Sequence, residues 1–376
     1  MRIAINTRFL IRDKMEGLGW HNYELCRELV RQHPEDEFLF LFDRPFDRDF
    51  LFADNVRGVF LPPPARRPLL WYLWFEWAIP TYFRYWRPDV FFSPDGYCSL
   101  RTRVPTLMLV HDIAYQHYPE QIPDWGLRYY EKYIPQFLQR ADHICAISEF
   151  GKRDLLAHYD LPAEKISVAP NALRGDFAPI PAERQAAIRA QYTDGQPYFF
   201  YLGAVHPRKN IARLIRAFDQ FKQATGAPVK LLIGGRLAWQ TGDIREAYEA
   251  SPYRSDIQLL GYVAEQELPE LLGSALALTY VSLFEGFGLP ILEALHAEVP
   301  VITSDRSSMP EVAGAAALLV DPESVDSIAQ AMQGIWIEPA LRQNLIATGR
   351  VQREKYSWAE TIRVVYEQLI SIKALI

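Results

Sequence analysis

The sequence is poor in the features that mark secreted, membrane-spanning and nucleic-acid-binding proteins. Its only cysteines, Cys26, Cys98 and Cys145, are too scattered for a metal site or a disulfide framework and fit a reducing compartment. The longest apolar run, residues 69–79, is broken by Glu76 and is too short to span a bilayer. A net charge of −6 without a long basic run argues against nucleic acid as the main partner. The start of the chain shows no signal-peptide pattern, so a cytoplasmic protein is expected.

The chain is rich, by contrast, in apolar and aromatic residues that can form buried cores. It has 376 residues, of which 49% are hydrophobic and 13% aromatic, and this length predicts two domains. Apolar, partly β-branched segments alternate with helix-like segments in both halves, which predicts an α/β protein with two doubly wound parallel sheets. We expect domains at residues 1–175 and 196–355, a linker within Leu173–Gln196, and a terminal helix at residues 356–376 that packs back on the first domain.

The stretch Ser282–Leu295 is the most informative part of the sequence. It follows an apolar segment that predicts a strand, and two glycines, Gly286 and Gly288, allow its backbone to approach a ligand closely. Pro290 suits the first turn of a helix, whose free amides would favour a diphosphate. Glu285 precedes the turn and Glu293 lies on the new helix. Carboxylates of this kind accept hydrogen bonds from sugar hydroxyls. The stretch therefore predicts a sugar-nucleotide site.

Further turns at predicted strand ends point to the same chemistry. The strand Tyr198–Leu202 runs into Gly203 and then into Arg208 and Lys209 before a helix. An arginine offers a bidentate fork and a lysine offers a mobile point charge, and both suit a diphosphate. Gly235 marks another tight turn at the end of a strand.

The run from Glu285 to Glu293 resembles the Glu-x7-Glu signature of the retaining family-4 glycosyltransferases, which share the two-domain GT-B fold. In that family the first glutamate lies near the donor sugar and the second binds the nucleotide ribose. The family also carries a basic pair where Arg208 and Lys209 stand, and a His-Asp pair after a strand, which His111 matches. The resemblance covers nearly the whole chain and is most specific in its second half.

This resemblance implies two Rossmann-like domains that face each other across a cleft, the first for the acceptor and the second for the nucleotide sugar. Gly19 matches a glycine of the family that sits under the donor diphosphate or faces the acceptor, and residues 262–263 match a segment that reads the nucleobase. The predicted catalytic residues are His111, Arg208, Lys209 and Glu285. The predicted donor-binding residues are Gly19, Gly203, Arg208, Lys209, Gly235, Tyr262, Val263, Glu285, Gly286, Phe287, Gly288, Leu289 and Glu293.

The expected activity is the transfer of a hexose, such as glucose or mannose, from a UDP- or GDP-sugar to a sugar or lipid-linked acceptor in polysaccharide or glycoconjugate synthesis. We expect retention of the anomeric configuration. No cofactor and no metal are expected, because Arg208, Lys209 and the helix amides would neutralise the leaving diphosphate. A glycoside hydrolase would also use paired carboxylates, but it would not need the basic turn. A non-catalytic sugar-nucleotide-binding protein of the same fold is the other alternative.

The segment Arg66–Arg87 allows two interpretations. It holds four tryptophans and is flanked by arginines at both ends. Tryptophan, tyrosine and arginine favour the lipid headgroup layer, which would make the protein peripheral at a membrane. An aromatic core helix of the first domain is the interpretation we favour. One helix face cannot bury every ring, so some rings are expected to be exposed.

Overall fold

The protein is described from a computed structural model, which covers residues 1–12, 15, 17–236 and 242–374. The chain divides into two compact units. The first comprises Met1–Arg174 together with Ser357–Ile376, and the second comprises Gly175–Tyr356. Each unit contains one parallel sheet.

The sheet of the first unit has seven parallel strands in the order β3-β2-β1-β4-β5-β6-β7. Its central strands are continuous apolar runs, as expected where helices cover both faces of a sheet. The strands are β1 (Arg2–Asn6), β2 (Glu37–Phe42), β3 (Val56–Phe60), β4 (Val90–Ser93), β5 (Thr106–Val110), β6 (His143–Ala146) and β7 (Ile166–Val168).

Helices α1 to α6 belong to this unit, and α15 near the end of the chain returns to it. Pro80 cannot donate a hydrogen bond within the segment between β3 and β4, and a five-residue π-turn, Trp74–Ala78, separates two helical pieces there. The helices are α1 (Gly17–Gln32), α2 (Pro68–Leu73), α3 (Ile79–Trp86), α4 (Ala114–His117), α5 (Asp124–Arg140), α6 (Glu149–His158) and α15 (Trp358–Lys373).

The second sheet has six parallel strands in the order β10-β9-β8-β11-β12-β13. The order repeats that of the first sheet, with one strand fewer at one edge. The strands are β8 (Tyr198–Leu202), β9 (Lys230–Gly234), β10 (Ile257–Gly261), β11 (Ala277–Tyr280), β12 (Val301–Ser304) and β13 (Ala317–Val320).

The helices of the second unit flank its sheet in sequence order. They are α7 (Ala182–Thr193), α8 (Ile211–Thr225), α9 (Gly242–Ala250), α10 (Leu268–Gly273), α11 (Leu289–His296), α12 (Met309–Ala313), α13 (Val325–Ile337) and α14 (Pro339–Arg353). The prediction of an α/β fold with two doubly wound parallel sheets is confirmed.

Helix α15 is bound to the first unit by side-chain hydrogen bonds. The indole Nε1 of Trp358 donates to the Leu173 carbonyl at 2.8 Å, and the Thr361 hydroxyl donates to the Pro170 carbonyl at 2.5 Å. Farther along α15, the Tyr366 ring stacks on His33 with 3.4 Å between centroids. Residues 375–376 of the predicted terminal helix lie outside the described residues.

The structure differs from the sequence expectations in three segments. Neither strand β3 nor strand β13 was predicted from the sequence. Both are edge strands, and both have a mixed burial pattern instead of a continuous buried run. The predicted linker stretch contains α7, which the ion pair Arg184–Glu270 (2.6 Å) attaches to the second unit.

Candidate active site

The topology of the second sheet identifies one place at which a ligand can be bound. The chain leaves β8 toward β9 on one side and returns as β11 on the other side, so the strand order reverses between β8 and β11. In doubly wound sheets, ligands bind beyond the carboxyl ends of the strands at such a switch point. Arg208 and Lys209 follow β8, and Glu285 follows β11.

The turn after β8 is built to present its basic pair. His206 caps a short 3-10 helix, Pro207–Lys209, by accepting a hydrogen bond from the Arg208 amide at 3.3 Å. Asn210 then takes a left-handed conformation (φ 62°), and its side-chain amide donates to the carbonyls of Val281 (3.0 Å) and Pro322 (2.6 Å). These bonds fix the turn against the end of β11.

The basic pair converges on one carboxylate. The Lys209 Nζ lies 2.5 Å from Glu285 Oε1, and the Arg208 Nη1 lies 3.5 Å from Glu285 Oε2. Arg208 also donates to the Phe284 carbonyl. The hydroxyl of Tyr280, the last residue of β11, lies 2.8 Å from Glu285 Oε1. The predicted residues Arg208, Lys209 and Glu285 are therefore in direct contact.

The charges around Glu285 keep it ionised. Burial by itself raises the pKa of this carboxyl, but the charges of Lys209 and Arg208 outweigh burial and lower the pKa to about 2. At neutral pH the three side chains together carry one net positive charge. A diphosphate is attracted to such a group, provided that it can reach the two cations.

The loop after β11 is braced by two serines. The Glu285 amide donates to the Ser307 hydroxyl at 3.0 Å, and the Ser308 hydroxyl lies 2.8 Å and 2.9 Å from the carbonyls of Glu285 and Phe287. Gly288 has φ 96°, a conformation that favours glycine, and it precedes the first residue of α11, Leu289. Gly286 and Phe287 are buried. The loop thus holds the amino end of α11 beside the basic turn.

Glu293 lies on α11, and only 1% of it is exposed. Its neighbours on the helix, Ile291, Leu292, Ala294 and Leu295, are buried apolar residues. Glu293 therefore does not lie on a solvated face of the helix. A buried carboxylate is costly unless it accepts hydrogen bonds, which suits a residue with a polar binding role.

The predicted glycine turns meet at the adjoining strand ends. The Gly203 amide donates to the Gly234 carbonyl at 3.0 Å, and the Gly235 amide donates to the Gly261 carbonyl at 2.7 Å. A Cβ atom on Gly235 would lie 1.7 Å from the Gly203 carbonyl oxygen, so a larger residue cannot fit without moving the backbone. Tyr262, which follows β10, is 76% exposed, whereas Val263 is buried. Gly203, Gly235 and Tyr262 thus follow three adjacent strands.

His111 belongs to the first unit, at the end of β5. Its Nε2 lies 3.0 Å from the Pro94 carbonyl, and because a carbonyl only accepts, Nε2 carries the proton in the neutral ring. Burial lowers the pKa of His111, although Pro94 and the nearby aspartates oppose this effect. The ring is therefore neutral at pH 7, with its lone pair on Nδ1. His117, six residues later, binds Asp154 at 2.9 Å.

Gly19 also belongs to the first unit, and it lies in a helix. Helix α1 begins at Gly17, so Gly19 lies in its first turn. A Cβ atom there would lie 3.0 Å from the Phe9 carbonyl oxygen, which explains the need for a small residue. His21, on the same helix, packs edge-on against His111 with 4.8 Å between ring centroids.

Two features of the first unit were not predicted from the sequence, an ion pair between the ends of β1 and β4 and an Asp-x-Asp run after β2. The Arg8 Nε and an Asp95 oxygen are 2.5 Å apart, and the two side chains are only 4% and 0% exposed. The sequence also contains Asp47-Arg48-Asp49, which has the Asp-x-Asp spacing of many metal-dependent glycosyltransferases and weakens the sequence argument for metal independence. Asp47 caps a 3-10 helix at the Asp49 amide (3.0 Å) and pairs with Arg12. The Asp47 carboxylate therefore already accepts a hydrogen bond and forms an ion pair within the protein.

The aromatic segment Arg66–Arg87 is partly buried and partly exposed, as expected. Trp71, Trp74 and Trp86 are buried, whereas Trp77 is 52% and Tyr85 is 81% exposed. An open apolar groove beside these exposed rings is lined by Leu61, Pro62, Pro63, Leu73, Trp77, Ala78, Thr81, Tyr82 and Tyr85. No helix among the described residues has the length and apolar character needed to cross a membrane.

Two doubly wound units, with a basic pair, a carboxylate and glycine turns beyond the carboxyl ends of the strands in the second, are the arrangement expected of an enzyme that binds a nucleotide sugar. Comparison with protein families identifies the chain further. Residues 15–174 match the description "Glycosyltransferase Family 4", and residues 184–352 match "Glycosyl transferases group 1". The chain belongs to this glycosyltransferase family, and the predicted resemblance is confirmed.

Curated relatives of the chain include mannosyltransferases. The chain is 32% identical over 363 residues to O-antigen chain mannosyltransferase B of Escherichia coli, covering 93% of this chain and 94% of the relative. It is 26% identical over 275 residues to O-antigen chain mannosyltransferase RfbU of Salmonella typhimurium, covering 72% of this chain and 71% of the relative. The expectation of a glycosyltransferase is confirmed.

Solved structures with the same fold cover almost the whole chain. Sucrose-phosphate synthase of Thermosynechococcus elongatus has a TM-score of 0.79 at 18% identity, and 99% of each chain is covered. HepE of Anabaena in complex with UDP and glucose has a TM-score of 0.76 at 16% identity, covering 99% of this chain and 100% of that one. The predicted GT-B fold is confirmed.

Proposed function

We propose that this protein is a retaining glycosyltransferase that moves mannose from a nucleoside-diphosphate sugar to a sugar or lipid-linked acceptor in polysaccharide synthesis. The observation that carries the proposal is the convergence of Arg208 and Lys209 on Glu285 at the switch point, beside the amino end of α11. Mannose is favoured over other hexoses by the names of the relatives, O-antigen chain mannosyltransferase B among them.

In this proposal the second unit binds the donor. Arg208 and Lys209 hold the diphosphate, and the first amides of α11 face the same group, because the positive end of a helix dipole favours an anion. Glu285 accepts hydrogen bonds from the hexose, and Glu293 accepts them from the ribose. Gly203, Gly235, Tyr262 and Val263 border the nucleoside.

Bond cleavage leaves negative charge on the diphosphate, and the basic pair stabilises that charge as it develops. The leaving phosphate oxygen takes the proton of the attacking acceptor hydroxyl on the same face of the sugar, which retains the anomeric configuration. His111 of the first unit interacts with the acceptor or the donor sugar through its Nδ1 lone pair. His111→Ala is then expected to reduce transfer severely while nucleoside diphosphate affinity stays nearly unchanged.

Transfer in this proposal needs no divalent metal. The charge that a metal would neutralise is met by Arg208, Lys209 and the amides of α11. Chelation with EDTA is therefore expected to leave the transfer rate unchanged. Loss of activity on chelation, with recovery on adding Mg²⁺ or Mn²⁺, contradicts metal independence and makes Asp47-Arg48-Asp49 the first motif to test.

Binding measurements can identify the nucleotide of the donor. Thermal-shift measurements with UDP, GDP, ADP and their sugars are expected to show substantial stabilisation by one diphosphate and its sugar only, because a ligand that binds the native state raises its stability. Donor turnover with a membrane extract as acceptor source completes the test. Stabilisation without turnover would support a non-catalytic binding protein, and hydrolysis of a glycan without nucleotide would support a hydrolase.

A peripheral membrane contact through the segment Arg66–Arg87 is part of the same proposal. The exposed charged residues of this segment are all arginines, because its one acid, Glu76, is buried and accepts a hydrogen bond from the Leu100 amide. Arg101 lies over the exposed Trp77 ring at 4.0 Å. Exposed aromatic rings among arginines suit an anionic lipid surface.

Co-sedimentation with vesicles tests this contact. Wild-type protein is expected to bind phosphatidylglycerol vesicles more tightly than phosphatidylcholine vesicles, and Trp77→Ser with Tyr85→Ser is expected to weaken that binding. Ile337→Ser is the matched control, because Ile337 is about as exposed as Trp77 (55% against 52%) but belongs to the second unit. Equal binding by wild type and the double variant contradicts the contact.

A further inference from the structure

Tyr280 contacts both Lys209 in the turn after β8 and Glu285 in the loop after β11. It ends β11, is 3% exposed, and its oxygen lies 2.8 Å from Glu285 Oε1 and 3.2 Å from Lys209 Nζ. A lysine ammonium can only donate, so the Tyr280 oxygen accepts from Lys209. The single phenolic proton is therefore directed to the Glu285 carboxylate. The order of donation is fixed as Lys209 to Tyr280 to Glu285.

A second buried tyrosine, Tyr201, shows that a tyrosine can fill this part of the core without a hydrogen bond from its hydroxyl to Glu285. Tyr201 of β8 is fully buried and stacks on Tyr280 with 6.1 Å between ring centroids. Its hydroxyl donates to the backbone carbonyl of Ala204 at 3.2 Å. The two rings occupy similar environments, and they differ in that only the Tyr280 hydroxyl bonds to Glu285 and Lys209.

The bound donor changes the balance of interactions at Glu285. Glu285 is held by Lys209 and Arg208 as well as by Tyr280. A diphosphate competes with the carboxylate for both cations, because charge-assisted bonds to phosphate are strong and Lys209 is mobile. The neutral Tyr280 hydroxyl is not drawn to the phosphate in this way and remains on Glu285.

We propose that Tyr280 is a positioning residue for glycosyl transfer, whose hydroxyl holds the Glu285 carboxylate in place when the donor diphosphate engages Lys209 and Arg208. The proposal rests on the proposed function of the site. It assigns to Tyr280 an effect on turnover that acts through Glu285, without contact between Tyr280 and the reacting atoms.

The titration of Glu285 provides an independent readout. The charged and titratable groups that face it are Lys209 and Arg208 from the turn after β8, Tyr201 from β8 and Tyr280 from β11. Burial, and then Glu285, raise the pKa of Tyr280 well above its ordinary value, so its hydroxyl stays protonated. A hydrogen bond to a carboxylate favours the ionised form. Loss of the hydroxyl is therefore expected to raise the pKa of Glu285 and to move the acid limb of the kcat profile to higher pH.

The experiment compares Tyr280→Phe with Tyr201→Phe in steady-state transfer assays. Tyr280→Phe is expected to lower kcat about tenfold, the loss typical of one hydrogen bond to a charged group, with the donor KM changed less than about threefold. Tyr201→Phe is expected to change kcat less than about threefold. In a Glu285→Gln background, adding Tyr280→Phe is expected to cost little more, because residues that act together are not additive.

Equal kcat values for Tyr280→Phe and Tyr201→Phe overturn the proposal, and so does a full tenfold loss in the Glu285→Gln background. If the Phe variant does not fold, Tyr280→Met removes the same hydroxyl with an adaptable side chain and is judged by the same kcat and pH criteria. Absence of donor turnover in the wild-type protein overturns the proposed function itself. Wild-type turnover without a Tyr280 effect overturns the positioning role alone.

Discussion

The two sheets place an ion pair at the same topological position, and the two ion pairs differ in composition. In the first sheet, Arg8 after β1 pairs with Asp95 after β4, at the point where the strand order reverses. The guanidinium lies 4.4 Å from the Tyr97 ring centroid, and both side chains are almost completely buried. The positive charge of Arg8 is therefore balanced by the negative charge of Asp95, and aromatic rings surround the pair.

In the second sheet, two cations approach one carboxylate at the equivalent point. Arg208 and Lys209 retain 19% and 13% side-chain exposure, and a glycine loop follows Glu285. A balanced and enclosed pair contributes to the structure of its unit, whereas a group with an extra positive charge beside a helix amino end suits an anionic ligand. Charged side chains therefore lie at the switch point of both sheets. The net charge of each group indicates whether it stabilises its unit or binds an anion.

The largest expected effect is on the stability of the first unit. Arg8→Met leaves Asp95 buried without its partner, which typically costs about 3–5 kcal/mol. We expect a large shift of the urea unfolding transition of the intact chain to lower urea concentration, measured by tryptophan fluorescence. Arg31→Met is the matched control, because the Arg31–Glu28 pair (2.6 Å) is exposed at the arginine and contributes about 1 kcal/mol or less. An unchanged transition with a loss of transfer would instead make Arg8 a ligand-binding residue.

The next effect is on turnover in the second unit. Lys209→Ala is expected to lower the transfer rate about a hundredfold or more, comparable with the loss of one preorganised donor to a developing anion. The fold is expected to survive, because Arg208 and the Tyr280 hydroxyl remain as partners of the Glu285 carboxylate. The rate is measured at saturating donor.

Lys230→Ala is the matched control for Lys209→Ala. Lys230 is also ion-paired, to Asp256 at 2.9 Å, and has 12% side-chain exposure, but it is the first residue of β9 and so lies at the amino ends of the strands, whereas the site lies at their carboxyl ends. Its removal is expected to lower stability slightly and to leave kcat unchanged. Wild-type turnover by Lys209→Ala would refute the assignment of Lys209 to the diphosphate.

These comparisons also show what sequence alone could provide. The donor loop was predictable because Glu285, Gly288 and Glu293 lie within nine residues, and the central strands were predictable because their apolar runs are continuous. The Arg8–Asp95 pair was not predictable, since its members are 87 positions apart and each resembles an ordinary loop residue. Strand β3 was missed because it carries Arg57 and Gly58 at a sheet edge, where one side is not covered by a neighbouring strand.

Tyr280 was missed for a different reason. In the sequence it is one aromatic residue in an apolar strand, and aromatic residues in buried strands mostly fill the core. Its role becomes visible only when the direction of each hydrogen bond between Lys209, Tyr280 and Glu285 is known. Pattern reasoning located the charged members of the site, and the neutral residue between them required the structure.

The last prediction separates the two carboxylates of the donor loop and has the smallest expected effect. If Glu293 serves the ribose, it interacts with a group that the donor and the free nucleoside diphosphate share. Glu293→Gln removes a charged hydrogen-bond acceptor, typically worth about 1.5–3 kcal/mol, and is expected to weaken both ligands by similar factors. Glu285→Gln removes the carboxylate that competes with the diphosphate for Lys209 and Arg208, so it is expected not to weaken diphosphate binding. It is expected to impair donor use, because only the donor carries the hexose. Calorimetry with both ligands on both variants measures these factors. Equal losses of diphosphate affinity in the two variants would contradict the division of roles between Glu285 and Glu293. The assignment of the chain to the glycosyltransferases would not be affected.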